Sequence, residues 1–84
     1  MKNFVSGNYY SGANAERLAE AGVEAVVTFK QAVRDLGVAG KKMKGLKACA
    51  TLMRFVRDEK EENGKRPVFY SVFDAAAVLA RKEA

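Results

Sequence analysis

The sequence predicts a small α+β domain, in which helices lie beside an antiparallel hairpin. Three observations indicate this class: a capping box at residues 28–31, two β-rich runs on either side of Asn63-Gly64, and an alanine-rich run after Asp74. The chain has 84 residues, and at this length only about 60–65% of the unfolded surface becomes buried. We therefore expect one domain over residues 1–84, with two N-terminal helices, the hairpin and a C-terminal helix.

The first helix is expected after an opening arm. The stretch through Gly12 places Tyr9 and Tyr10 between glycines, which is typical of a short strand or an extended segment. Asn14 is a favourable N-cap residue, and helical spacing of apolar residues follows it. These apolar positions are Ala15, Leu18, Ala19 and Gly22. Gly22 suits the end of the helix because glycine accepts a left-handed conformation.

The second helix has the most specific local signal. In Thr28-Phe29-Lys30-Gln31 the threonine hydroxyl can cap the glutamine amide, while the glutamine side chain reaches back to Thr28. A helix over residues 29–36 follows from this capping box. Its apolar face would hold Phe29, Ala32, Val33 and Leu36. Gly37 then lies where a left-handed C-cap belongs.

The second half of the chain predicts a basic loop, a hairpin and a final helix. Residues 38–45 are bounded by glycine and rich in lysine, which favours a loop. Two β-rich runs, 48–57 and 67–73, flank the Asn-Gly turn signal and predict antiparallel pairing. Pro67 favours an edge position or a strand start, and Asp74 can cap a final helix.

Composition argues against catalysis. Histidine is absent and Cys49 is the single cysteine. These counts remove the usual general base, the Ser-His and Cys-His nucleophile pairs, and zinc sites built from histidine or several thiolates. A chain without an internal disulfide suits a reducing cytoplasm. We expect a cytoplasmic, non-catalytic protein with no cofactor, no metal and no membrane segment.

The positive charge is concentrated in one segment. The formal net charge is +5, yet residues 1–40 carry four bases and four acids. Residues 41–57 carry six bases and no acid, whereas residues 58–64 carry one base and four acids. Because phosphates attract clustered lysines and arginines, this distribution predicts an anionic partner for the central segment.

The lysine-rich loop is the first candidate site. Glycines at positions 40 and 45 would let the backbone approach a phosphate while nearby ammonium groups neutralise it. The cations of this loop are Lys41, Lys42, Lys44 and Lys47. Their spacing is not that of a P-loop, and a solvated lysine loop without a ligand explains the pattern equally well.

Aromatic residues are the second candidate. Exposed aromatic rings beside a basic surface stack unpaired bases. Most phenylalanines of so small a domain are expected in the core. Tyr9 and Tyr70 are better candidates for a binding surface, since the polar end of a tyrosine tolerates a hydrated site.

Four short motifs occur in the order found in one known family. They are Tyr10-Ser11-Gly12-Ala13-Asn14, Thr28-Phe29-Lys30-Gln31-Ala32, Lys44-Gly45-Leu46-Lys47 and Val72-Phe73. Together they resemble the N-terminal domain of the ArdC antirestriction proteins of plasmids and phages. That family reads approximately Y-x-G-x-N, W-x-T-F-x-Q-A, V-x-K-G-x-K-G and V-F-N. The resemblance covers residues 7–80 and implies binding of single-stranded DNA.

Several family positions differ in this chain. The family tryptophan is Val26, the second glycine of the lysine-glycine motif is Ala48, and the asparagine after Val-Phe is Asp74. The glutamate of the lysine-glycine motif is Leu46. The resemblance does not extend to the metalloprotease domain of full ArdC proteins, so it implies no protease activity.

The hypothesis is a single-stranded-DNA-binding, antirestriction-like module of a phage or plasmid. Lysine and arginine side chains would contact the phosphate backbone of the DNA. The family motif implies stacking by Tyr10 and hydrogen bonding by Asn14. The candidate residues are Tyr10, Asn14, Lys30, Lys41, Lys42, Lys44, Lys47 and Arg54. RNA stays open as a ligand. The alternative is a protein-interaction module that inhibits or regulates a host defence or replication protein.

Overall fold

In residues 2–83, which the computed structural model describes, helices pack on both faces of a four-stranded sheet. The elements are β1 (Lys2–Asn3), α1 (Gly12–Ala21), β2 (Ala25–Thr28), α2 (Phe29–Arg34), α3 (Gly40–Met43), β3 (Ala50–Arg57), β4 (Lys65–Asp74) and α4 (Ala75–Glu83). The predicted α+β class is confirmed.

The strand order of the sheet is β1-β2-β4-β3. β1 runs parallel to β2, whereas β4 is antiparallel to both of its neighbours. β2 pairs with β4 only from Val26, opposite Asp74, to Thr28, opposite Val72. β3 pairs with β4 along its whole length, down to Arg57 opposite Lys65. The outer half of the hairpin therefore extends beyond the end of β2.

Adjacent valines on β2 divide the core between the two faces of the sheet. Val26 and Val27 are both fully buried, and successive side chains of a strand point to opposite faces. Val26 packs in a cluster with Leu18 of α1 and Val72 of β4. Val27 packs in a second cluster, whose other buried members come from α2, α4 and residues 38–43.

The capping box predicted at the start of α2 is confirmed. Gln31 N–H donates to Thr28 Oγ1 at 3.2 Å, and Thr28 N–H donates to Gln31 Oε1 at 3.0 Å. Gly37 is left-handed as predicted, with a φ of +72°, but the C-cap of α2 is Asp35, two residues earlier. Val38 N–H donates to Ala32 C=O at 3.0 Å, which turns the chain back against the end of α2.

Other local signals are also confirmed. The predicted pairing of residues 48–57 with 67–73 occurs as β3 and β4, with slightly shifted limits. Ala76 N–H donates to Asp74 Oδ1 at 3.1 Å, so Asp74 caps α4. Gly22 ends α1 in a left-handed conformation.

Several local predictions were wrong. Asn14 does not cap α1, because that helix begins at Gly12 and its N-cap is Ser11. Residues 25–28 form β2, a strand that was not predicted, and α2 ends at Arg34 rather than at residue 36. Phe29 and Val33, which were expected on the apolar face of this helix, are 49% and 38% exposed.

The segment expected to be a basic loop contains the helical turn α3. This turn depends on a contact from α4 that local sequence does not reveal. Arg81 Nη1 donates to the carbonyl oxygens of Lys42 and Lys44, at 3.5 and 3.2 Å. It thereby satisfies carbonyl groups that the end of a helix leaves without partners. Met43 anchors the turn in the core, where it is buried.

Candidate nucleic-acid interface

A groove opens where β2 stops and β4 continues. β2 gives way to α2 after Thr28, so the next stretch of β4 is paired with β3 on one side and has no strand on the other. The space left at this point is a groove of about 660 Å³. It is lined by Asn3, Tyr10, Thr28, Phe29, Lys30, Arg54, Tyr70, Ser71 and Phe73. None of these described residues carries a carboxylate.

The register of the hairpin shows which backbone groups face this groove. Met53 exchanges two hydrogen bonds with the Asn14 side chain, so its N–H and C=O point away from β4. The pair Met53–Phe69 is therefore a non-hydrogen-bonded pair of the ladder. It follows that the N–H and C=O groups of Phe69 and Ser71 point to the opposite side of β4, where β2 is absent.

Pro67 occupies a position where its missing N–H costs no ladder bond. Pro67 lies opposite Phe55, two residues beyond the Met53–Phe69 pair. Because the two kinds of pair alternate along the ladder, the Phe55–Pro67 pair is also non-hydrogen-bonded. Proline in a sheet is confined to edges and strand starts for this reason. The predicted edge position of Pro67 is confirmed, and β4 is an open edge along the groove.

A network of amides forms the floor of the groove. Asn3 is 6% exposed, and its Nδ2 donates to Gln31 Oε1 at 2.7 Å and to the Tyr10 hydroxyl at 3.2 Å. Gln31 Nε2 donates back to Asn3 Oδ1 at 3.0 Å. Because Gln31 also closes the capping box with Thr28, the network ties the start of α2 to β1. It holds the Tyr10 ring at the groove wall.

Tyr70 and Arg54 form the opposite wall. The guanidinium carbon of Arg54 lies 6.0 Å from the centre of the Tyr70 ring, which is within range of a cation–π interaction. Burial raises the pKa of Tyr70 above its ordinary value, nearby Tyr10 raises it further, and Arg54 opposes the rise. Tyr70 is therefore neutral at physiological pH and presents an uncharged ring.

The lysine segment, residues 40–47, begins beside the groove, but none of its lysines lines it. A Cβ atom on Gly40 would lie 3.8 Å from Phe29 Cζ, so α3 starts next to a groove residue. Lys42 Nζ donates to the Lys82 carbonyl oxygen at 3.3 Å, which links α3 to α4. The exposed cations of the segment are Lys41, Lys44 and Lys47.

The structure brings together only part of the predicted site. Tyr10, Lys30 and Arg54 meet in the groove. The four lysines Lys41, Lys42, Lys44 and Lys47 lie on α3 and the segment after it, and none of them lines the groove. Asn14 lies outside the groove, on α1 beside the free edge of β3. There its side-chain amide donates to the Met53 carbonyl oxygen and its side-chain oxygen accepts from the Met53 N–H.

Sequence reasoning missed most of the groove walls. Phe29, Ser71 and Phe73 were not candidates, and neither was Asn3. Ser71 and Phe73 are neighbours on one face of β4, and Phe29 joins them because β2 ends at Thr28, a length that no local pattern encodes. Of the two tyrosines predicted as candidates for a binding surface, Tyr70 lines the groove and Tyr9 does not.

No protein-family model, curated protein or solved structure matches this chain. Within residues 2–83 no helix is long and apolar enough to cross a membrane. No cluster of three potential metal-ligating side chains occurs in the described part of the chain.

Proposed function

We propose that this protein is a small, non-catalytic module that binds single-stranded DNA. The observation that carries the proposal is the groove, where four aromatic rings and two cations line one surface without a carboxylate. The rings are Tyr10, Phe29, Tyr70 and Phe73, and the cations are Lys30 and Arg54.

The chemistry of these walls suits unpaired bases. Aromatic side chains stack bases of any sequence, while lysine and arginine follow the phosphates. In a duplex the flat faces of the bases are already stacked, so a groove lined by rings favours a single strand. The three exposed lysines after Gly40 would extend the cationic surface from the Phe29 rim.

The ArdC resemblance supports the more specific part of the proposal. Tyr10 and Thr28, which belong to two of the family-like motifs, line the groove, and so does Phe73 of a third. On this basis we assign the module an antirestriction-like role in a phage or plasmid. RNA, which offers the same bases and phosphates, is the ligand to compare with DNA.

The proposal is tested by fluorescence anisotropy with a labelled oligothymidine of about 12 nucleotides, at about 50 and 200 mM salt. Tyr10→Ala should weaken binding by about 1–3 kcal/mol because it removes a stacking ring. Tyr10→Phe keeps the ring but loses the hydroxyl that accepts from Asn3, so it should bind more tightly than Tyr10→Ala. Tyr9→Ala is the matched control, since Tyr9 is 75% exposed and lies outside the groove.

Two results would contradict the proposal. One is that the parent protein does not bind the oligonucleotide even at low salt. The other is that Tyr10→Ala, shown to be folded by circular dichroism, binds as tightly as Tyr10→Phe.

The open edge of β4 favours a second candidate function, a protein-interaction module. An extended peptide can add to such an edge through backbone hydrogen bonds. A partner of this kind would dock along Phe69 and Ser71 and leave Lys30 and Arg54 unused. Little affinity for oligonucleotides, together with capture of an extended peptide, would favour it.

A further inference from the structure

Two phenylalanines stand exposed on one face of the outer hairpin. Phe55 is 59% exposed and Phe69 is 60% exposed. Phe69 lies opposite Met53, and Phe55 lies opposite Pro67, so the two rings share a face and occupy diagonal positions. Such positions are about 7–8 Å apart. We call this surface the ribbon face; its residues are Met53, Phe55, Arg57, Lys65, Pro67 and Phe69.

The ribbon face continues one wall of the groove. Alternate residues of a strand share a face, so Phe73, Ser71 and Phe69 form one row along β4. Phe73 and Ser71 line the groove, and Phe69 is the next residue outward. A single-stranded DNA that leaves the groove along β4 would therefore meet Phe69 first, with Phe55 beside it.

The charges of the ribbon face suit a polyanion. The ribbon face carries two basic residues, Arg57 and Lys65, and no acidic residue. Arg54 and Arg66 lie on the opposite face of the hairpin. Arg66 forms an ion pair with Asp58 at 3.2 Å. Arg57 and Lys65 lie directly opposite each other in the ladder, and like charges placed this way destabilise a hairpin. An anion between them would relieve the repulsion.

A shallow depression lies at this cationic pair. Its volume is about 370 Å³, and it is lined by Phe55, Val56, Arg57, Asn63, Gly64 and Lys65. It therefore places a ring and two cations around one space, which is the combination that the groove also presents.

We propose that the ribbon face is a second subsite for the same single strand. Bases stack on Phe69 and Phe55, and a phosphate lies between Arg57 and Lys65. The acidic turn that follows, with Asp58, Glu59, Glu61 and Glu62, ends the path by repelling phosphate. This inference rests on the proposed function, because the single-stranded DNA reaches the ribbon face from the groove.

Oligonucleotide length separates the two subsites. Oligothymidines of about 4 and about 12 nucleotides are titrated against the parent, Phe55→Ala, Phe69→Ala and the double variant. The short probe should occupy the groove alone and bind all four proteins equally. The long probe should bind each single variant about fivefold or more weakly, since one stacking contact is lost. Tyr9→Ala, another exposed aromatic residue, should change neither affinity.

The charged pair gives a second, independent readout. The double variant with Arg57→Ala and Lys65→Ala should flatten the log–log salt dependence of the long probe by about 0.7 per lost phosphate contact. It should leave the short probe unchanged. Because all four side chains are exposed, these variants should stay folded, and circular dichroism checks this.

The outcomes distinguish this inference from the proposed function. If neither probe binds the parent, the proposed function itself fails. If the long probe binds the phenylalanine variants and the charge variant as tightly as the parent, the ribbon face is not a subsite. If the free parent is a dimer that the phenylalanine variants convert to monomer, the face is a self-association surface, which overturns the inference.

Discussion

Asn14 and Met53 are joined by two hydrogen bonds that imitate the pairing of one more strand. Asn14 Nδ2 donates to the Met53 carbonyl oxygen at 2.9 Å, and Met53 N–H donates to Asn14 Oδ1 at 3.0 Å. The side chain thus covers one N–H and one C=O of an edge strand, groups that would otherwise attract another chain. It also fixes α1 against β3.

The first prediction concerns this pair. Asn14→Ala should lower the free energy of unfolding by about 1–3 kcal/mol, because it removes two hydrogen bonds and leaves the Met53 groups less well satisfied. Urea denaturation measures the loss. Asn8→Ala, at an exposed position, should change stability by less than about 0.5 kcal/mol.

The same variant tests the role implied for Asn14 by the family motif. The folded Asn14→Ala protein should bind the oligothymidine as tightly as the parent, since Asn14 lies outside the groove. A large loss of affinity without a loss of stability would instead make Asn14 a nucleic-acid ligand.

The second prediction compares the two members of the capping box. Thr28→Ala should destabilise the protein by about 1 kcal/mol, as expected for a lost N-cap. Gln31→Ala should cost more, about 2–4 kcal/mol, because it also deprives buried Asn3 of its amide partner. Thermal and urea unfolding of both variants give the comparison. Equal losses would mean that the Asn3–Gln31 pair adds nothing to stability.

The third prediction concerns the exposed lysines after Gly40. The triple variant Lys41→Ala, Lys44→Ala and Lys47→Ala should flatten the log–log salt slope by about 2, at about 0.7 per phosphate contact on a single strand. Lys42 is left in place because it bonds to the Lys82 carbonyl oxygen. The loss of affinity should be similar for all base sequences, since phosphate contacts do not read bases.

Lys60→Ala is the matched control for this charge effect. Lys60 is exposed in the acidic turn of the hairpin, away from the lysine segment. A salt slope in the triple variant equal to that of the parent would show that these lysines only solvate the surface.

The fourth prediction concerns pH. Burial, and then the proximity of Tyr10, raise the pKa of Tyr70 above its ordinary value of 10.0. The fold therefore favours the neutral phenol: this stabilisation is complete below pH 10 and is lost as the pH rises through the raised pKa. Unfolding free energy measured across this range should fall less steeply for Tyr70→Phe, which has no proton to lose. An identical pH profile in the two proteins would contradict the prediction.

The signals that predicted correctly are local. The Thr28–Gln31 capping box was predicted because its two partners are three residues apart in the sequence. The hairpin around Asn63-Gly64 was predicted because its two β-rich runs flank a turn signal. The same holds for Gly22 and for Asp74 at the start of α4. Of the proposed site, Tyr10, Lys30, Arg54 and Tyr70 were identified as candidates.

Asn14 shows why the other features of the fold could not be predicted from the sequence. As an N-cap candidate it was judged on its neighbours in sequence, but its actual partner, Met53, is 39 residues away. Likewise α3 depends on Arg81 from the last helix. Contacts over such separations outweigh weak local preferences, which are worth less than about 1 kcal/mol per residue.

The sequence by itself determined the α+β class, the cationic central segment and the positions at which α2 and α4 begin, because residue type and short-range spacing encode these features. Only the tertiary structure decided where a ligand could bind. The groove exists because β2 stops at Thr28 while β4 continues, and its walls come from residues between Asn3 and Phe73. That arrangement depends on the length of one strand relative to its neighbour, a property of the assembled sheet.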